Sequence, residues 1–299
     1  MKKFCLIILF GISIQSMFAC DICGCSTGNY FIGLTPQFSN QFIGIRYTSR
    51  SFKTVLKTDK TQFSNDFYQT TEIWGGYKIS PAIQVLAFLP YNINNSVTDD
   101  GLKTNNGIGD VTLLGSYRAM NLNTWLNDSL SVRQKLWFGG GVKLPTGVFL
   151  IDTAEVVSSA NSQSGSGSLD FIVTGNYDLQ IGHWGLTSNL SYKINQSASD
   201  YKFGNRFNAG LIAFRSFRSG MNEFSPNVGL LYENMAANTL NNVTVENTGG
   251  NALLAVVGIE ARFNKMSVGL NTQLPLINKI SDNQTNIVMR VMAHITYAF

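Results

Sequence analysis

Chemistry-bearing residues concentrate at one place near the start of the chain. Cys20, Cys23 and Cys25 fall inside "CDICGC", and Cys5 is the fourth cysteine of the sequence. Cys23 and Cys25 could hold a soft ion such as Cu(I) through two thiolates, or cycle between redox states. A disulfide would join Cys20 to Cys23 more easily than Cys23 to Cys25, because a Cys-x-Cys bridge closes a small, strained ring. No fourth ligand is in view for structural zinc. Covalent haem attachment is disfavoured, since Gly24 follows Cys23 where a histidine is required. Cys20 also follows "MFA", a relaxed version of the sequence that precedes a lipidated cysteine, with Met17 where leucine is usual. Lipidation of Cys20, a Cys20–Cys23 disulfide and a thiolate site on Cys23 and Cys25 stay open together. Beyond that copper option no cofactor is expected.

Catalysis finds little support elsewhere. The only histidines are His183 and His294. In "HWGLTSN", Ser188 and Asn189 lie near His183, but a period-2 reading puts Ser188 on one face and Asn189 on the other. That is a poor arrangement for an activated nucleophile, so no enzyme is expected. "GIGD" and "GSGSLD" are not followed by a helical pattern, so nucleotide-loop readings fail on context.

The rest of the chain says where these cysteines stand. Lys2 and Lys3, an apolar run from Phe4 to Ile14 and then Gln15-Ser16-Met17-Phe18-Ala19 read as a secretory signal over 1–19. The run is too short to cross a bilayer, and no other run is long enough. Export places the remaining thiols in an oxidising compartment, and three is an odd number there. Charged residues make up 13% of the chain against roughly 25% in soluble domains, while Gly, Asn, Ser, Thr and aromatics are plentiful. The net charge of +4 is spread without a basic run, so no nucleic-acid partner is expected.

From Gln41 onward the chain repeats a unit of about ten alternating residues and a polar interruption. In "NIVMRVMAHITYAF", Ile287, Met289, Val291, Ala293, Ile295, Tyr297 and Phe299 form one face, with Arg290, Met292, His294 and Thr296 opposite. The reading gives twelve strands, near 41–52, 67–79, 82–93, 107–118, 132–145, 168–179, 184–194, 206–217, 224–234, 250–263, 266–275 and 286–299. Short turns alternate with long connections (53–66, 94–106, 146–167, 235–249), as in outer-membrane barrels. The segment 119–131 breaks the alternation: it falls on the short side yet is long. Tyr77, Tyr91, Tyr117, Tyr177, Tyr192, Tyr232 and Tyr297 near strand ends suit an aromatic girdle. A soluble β-sandwich would alternate too, but with fewer and shorter strands. The fold expected is therefore an all-β transmembrane barrel of about twelve antiparallel strands over 41–299. It would be a monomer embedded in outer-membrane lipid, preceded by a periplasmic leader over 20–40. The terminal Phe299 resembles the C-terminal signal of such proteins.

Three stretches carry a resemblance: "GIGDVTLLGSYR" (107–118), "GGGVKLPTG" (139–147) and "GSGSLDFIVTGNYDL" (165–179). In that order they resemble the family named for the meta-pathway of phenol degradation, a group of outer-membrane transporters. The resemblance implies a barrel and passage of small molecules, hydrophobic or aromatic ones among them. Read physically, the same glycines suit returns from loops to strands, so turn and rim geometry is the favoured role for the motifs.

The alternation also predicts a lumen. Arg46, Arg50, Glu72, Lys78, Arg118, Lys135, Lys143, Asp170, Asp178, Lys193, Glu233, Glu260, Arg262, Arg290 and His294 fall on the polar, inward series. Both signs occur, so no strong filter for anions or cations is expected. Leu86, Phe88, Trp137 and Phe214 are inward apolar positions that would suit an apolar solute. The function expected is passage of small solutes through the outer membrane; the alternative is a lipid-anchored binding or structural barrel with an N-terminal thiol site.

Overall fold

A computed structural model describes residues 41–57, 61–99, 101–127, 130–150 and 162–299. The signal, the leader and all four cysteines lie outside the described residues, as does 151–161. Twelve antiparallel wall positions close into a barrel. They are β1 (Phe42–Val55), β2 (Phe63–Lys78), β3 (Ile83–Thr98), β4 in two pieces (Gly101–Ile108 and Thr112–Asn127), β5 (Leu130–Lys143), β6 (Asp170–Ile181), β7 (Trp184–Ile194), β8 (Arg206–Arg215), β9 (Asn222–Met235), β10 (Gly250–Phe263), β11 (Met266–Ile280) and β12 (Thr285–Ala298). Each pairs with its sequence neighbours, and β1 pairs with β12 to close the wall.

Alternation builds this wall as expected. Ile43, Ile45, Ile73, Leu89, Val173, Val257, Ile259, Leu270 and Ile295 are exposed on the outer surface, while the intervening residues are buried. Tyr77, Tyr91, Tyr117, Tyr192, Tyr232 and Tyr297 are also exposed there, as amphipathic rings at a membrane interface should be. Tight turns join the strands at the end where β1 starts and β12 stops, the periplasmic end in outer-membrane barrels. Asn264 and Gly182 take positive φ (53° and 57°) in two of these turns, a conformation that Gly and Asn reach at least cost.

Three details differ from the sequence reading. Segment 119–131 is not a loop: β4 runs to Asn127 and β5 starts at Leu130, with register shifts near Ala119 and Leu126. The alternation of short and long connections is therefore intact, and bulges had blurred the period. Segment 94–106 is likewise mostly strand, because β3 and the first piece of β4 continue pairing beyond the apolar belt. There Asn, Ser and Thr replace the apolar face that marks a membrane strand. Finally, Ile287 is buried inside rather than on the lipid face. Val288 and Met289 are both exposed, and the β1–β12 register skips at this point, so a bulge reverses the parity below Met289.

At the loop end, Ser197–Ala198, Tyr201–Lys202, Thr239–Leu240 and Val243–Thr244 form a small four-stranded sheet. Tyr201 and Phe203 pack there against Phe149, Leu240 and Val245. This apolar knot ties the loops after β5, β7 and β9 to one another.

Candidate functional site

The lumen is the site the fold presents, and an ion cluster is buried against its wall near the loop end. β3 carries Pro90, which has no N–H to donate, and β4 carries one residue more than β3 between the pairs Tyr91–Ile108 and Phe88–Thr112. The resulting bulge at Gly109–Val111 turns Asp110 into the interior, where it is buried. Lys143, fully buried at the end of β5, places Nζ 2.6 Å from Asp110 Oδ2 and 2.9 Å from Asp170 Oδ2. Lys193 Nζ stands 3.7 Å from the same Asp170 oxygen. Ser166 donates to Asp110 Oδ2 from its N–H (2.9 Å) and its hydroxyl (2.8 Å), and the Gly147 N–H donates to Oδ1 (3.0 Å). Ser168 Oγ and the Gln196 N–H donate to Asp170 Oδ1.

All three stretches that carry the family resemblance thus meet at one point. Asp110 comes from the first, Lys143 and Gly147 from the second, Ser166, Ser168 and Asp170 from the third. They seat the return limb of the loop after β5, residues 162–168, against the inner wall. Asn92 and Asn94 donate side-chain amides to the carbonyls of Ser164 (2.9 Å) and Ser162 (2.8 Å). Gly147 and Gly165 cross so closely that a Cβ on Gly165 would meet the Gly147 carbonyl at 2.5 Å.

Below this latch the lumen is apolar on one wall. Phe42, Trp74, Leu86, Phe88, Leu114, Trp137 and Ile172 form a buried belt across β1 to β6. A second buried cluster, Phe52, Tyr68, Leu231, Ala252, Leu254, Val256, Ile280 and Ile287, lines the outer half across β1, β2 and β9 to β12. Buried ion pairs cross between them. Arg46 binds Glu72 and lies over the Trp74 and Phe88 rings, at 5.1 and 5.5 Å from their centroids. Arg290 Nη1 contacts both oxygens of Glu233 at 2.7 and 2.8 Å. His294 Nε2 stands 3.0 Å from Glu260 Oε1, and Arg50 donates to Thr70 Oγ1 at 3.2 Å.

The remaining inward residues open toward the periplasm. Lys78, Arg118, Lys135 and Asp178 are half-buried and Arg262 is exposed. Arg262 binds Glu223, as does Arg218 Nε at 3.4 Å. Of these, Lys135, Asp178, Arg218, Glu223 and Arg262 border a cavity of about 210 Å³ that Arg133, Phe214 and Glu260 also line. Phe214 therefore sits in this vestibule, apart from the belt that collects Leu86, Phe88 and Trp137. Arg133, Arg218 and Glu223 escaped the sequence reading, although Arg133 shares the inward series of Lys135. Ser166 and Ser168 escaped it because loop residues carry no alternation to read.

No known family profile matches the chain, and no curated protein sequence does. Solved structures do. An outer membrane channel from Pseudomonas putida F1 superposes with a TM-score of 0.62 at 15% identity, over 92% of this chain and 99% of that one. The β-domain of the Bordetella autotransporter BrkA gives 0.54 at 12%, over 87% and 100%. The transport unit of the autotransporter AIDA-I from Escherichia coli gives 0.51 at 12%, over 91% and 94%. Identities this low carry the fold. The closed wall and its apolar outer surface make this chain a twelve-stranded β-barrel of the bacterial outer membrane.

Proposed function

We propose that the barrel is a channel for small solutes, with hydrophobic and aromatic molecules as its preferred cargo. One observation carries this reading: two apolar clusters line the interior of a barrel type whose lumen is ordinarily polar. In a barrel serving only as an anchor, inward rings such as Trp74, Phe88 and Trp137 would serve packing alone, whereas an apolar solute also gains a dry wall to pass along. The three motifs add their resemblance to the transporter family named for the meta-pathway of phenol degradation. In planar bilayers the purified barrel is expected to conduct ions, and 2-phenylethanol is expected to reduce the current by occupying the belt. Silence in planar bilayers, together with no solute uptake in liposomes, would overturn the proposal.

A further inference from the structure

Charges of both signs line the periplasmic cavity, and its three carboxylates are not equally satisfied. Glu223 meets Arg262 and lies 3.4 Å from Arg218 Nε. Asp178 accepts a hydrogen bond from Thr187 at 2.9 Å and has Lys135 within electrostatic range. Glu260 differs. Its Oε1 stands 3.0 Å from His294 Nε2, while its Oε2 is buried and meets no donor among the described residues. The residue is 7% exposed and lines the cavity.

The neighbouring strands hold this carboxylate in place. Gly269, its partner in β11, leaves free the space that the carboxylate fills, and a Cβ there would collide with both of its oxygens. Ser225, its partner in β9, is buried on the same inner face and lines the cavity too. A buried carboxylate oxygen without a donor is costly, because nothing repays its lost hydration. At the edge of a cavity it marks where a charged donor would arrive with a ligand. The opposite demand comes from β5, five strands away around the wall, where Lys135 and Arg133 line the same cavity. Arg133 donates to Gln180 Oε1 at 2.8 Å and forms no ion pair with a carboxylate among the described residues. Between the two sides, Phe214 on β8 and Leu179 on β6 supply apolar lining.

We infer that this cavity is a binding site for a small zwitterion, an aromatic α-amino acid being the chemical class that fits. Its ammonium group donates to Glu260 Oε2 and the Ser225 hydroxyl, its carboxylate faces Lys135 and Arg133, and its ring lies toward Phe214. A simple amine or a simple anion satisfies one side and meets like charge on the other. The inference goes beyond the channel reading, and binding does not require passage. The probe is L-phenylalanine, with 2-phenylethylamine (no carboxylate) and 3-phenylpropionate (no ammonium) as controls, titrated calorimetrically into the full barrel in detergent micelles at neutral pH. Phenylalanine is expected to bind at least tenfold more tightly than either control. Glu260→Gln is expected to weaken phenylalanine at least tenfold without weakening 3-phenylpropionate. Lys135→Gln/Arg133→Gln is expected to weaken phenylalanine as much without weakening 2-phenylethylamine, each variant keeping the heat-resistant mobility of a folded barrel. Phenylalanine binding of this pattern in a protein that conducts nothing would refute the channel and leave this site standing. No phenylalanine binding, equal affinity for the three probes, or folded variants that bind phenylalanine unchanged would overturn the site whatever the conductance.

Discussion

Replacing Asp110 with alanine tests how the latch holds the loop. The carboxylate is buried and accepts from Lys143, Ser166 and Gly147, so its loss frees the limb 162–168 without touching the wall ladder. Breaking a buried ion pair usually costs about 3–5 kcal/mol, because it strands the partner charge. Here Asp170 still stands 2.9 Å from Lys143 Nζ, which lowers the penalty. The hydrogen bonds lost from Ser166 and Gly147 restore part of it, since bonds to a charged acceptor are worth roughly 1.5–3 kcal/mol and do not add fully. A net cost of about 3 kcal/mol to seating the limb corresponds to a roughly hundredfold shift in its open–closed equilibrium. Hydrogen exchange followed by mass spectrometry should therefore show amides of 162–168 exchanging about two orders of magnitude faster, with β1 and β12 unchanged. Asp110→Asn, which keeps an acceptor oxygen but not the charge, should fall between. A folded Asp110→Ala barrel whose limb exchanges at the wild-type rate would refute the latch.

Other expectations follow from the same geometry. Gly165→Ala should unseat the limb as Asp110→Ala does, because its Cβ meets Gly147 backbone at 2.5 Å; limited proteolysis within the loop reads this directly. Arg290→Met leaves Glu233 buried without its main partner and should destabilise the barrel by about 3–5 kcal/mol in urea unfolding from micelles. Trp137→Ala removes a fully buried ring from the belt, which should cost about 3–5 kcal/mol and raise single-channel conductance. Unchanged conductance in that variant would mean the belt does not limit the path.

Much of this molecule was legible in its sequence, because a membrane strand writes its orientation locally. Neighbouring residues point to opposite sides of the wall, and lipid demands an apolar side chain at every second position. That is enough to place Arg46, Arg290 and His294 inside, Ile295 and Tyr297 outside, and to reach twelve strands in a closed barrel. Two of the three exceptions share one cause. Bulges at Ala119 and Val288 shift the period by a residue, so a reader of alternation sees a loop at 119–131 and places Ile287 on the wrong face.

Only the tertiary structure decides which inward residues meet. Strand tilt and register bring Asp110, Lys143 and Asp170 to one point although they lie 33 and 27 positions apart in the chain. The same register sets Glu72 beside Arg46, Glu233 beside Arg290 and Glu260 beside His294. A count of inward charges cannot separate a neutral lumen from a segregated one, because electrostatic energy depends on distance across the barrel and not on order along the chain. Sequence determined the wall. The latch, the belt and the vestibule came from how that wall closes on itself.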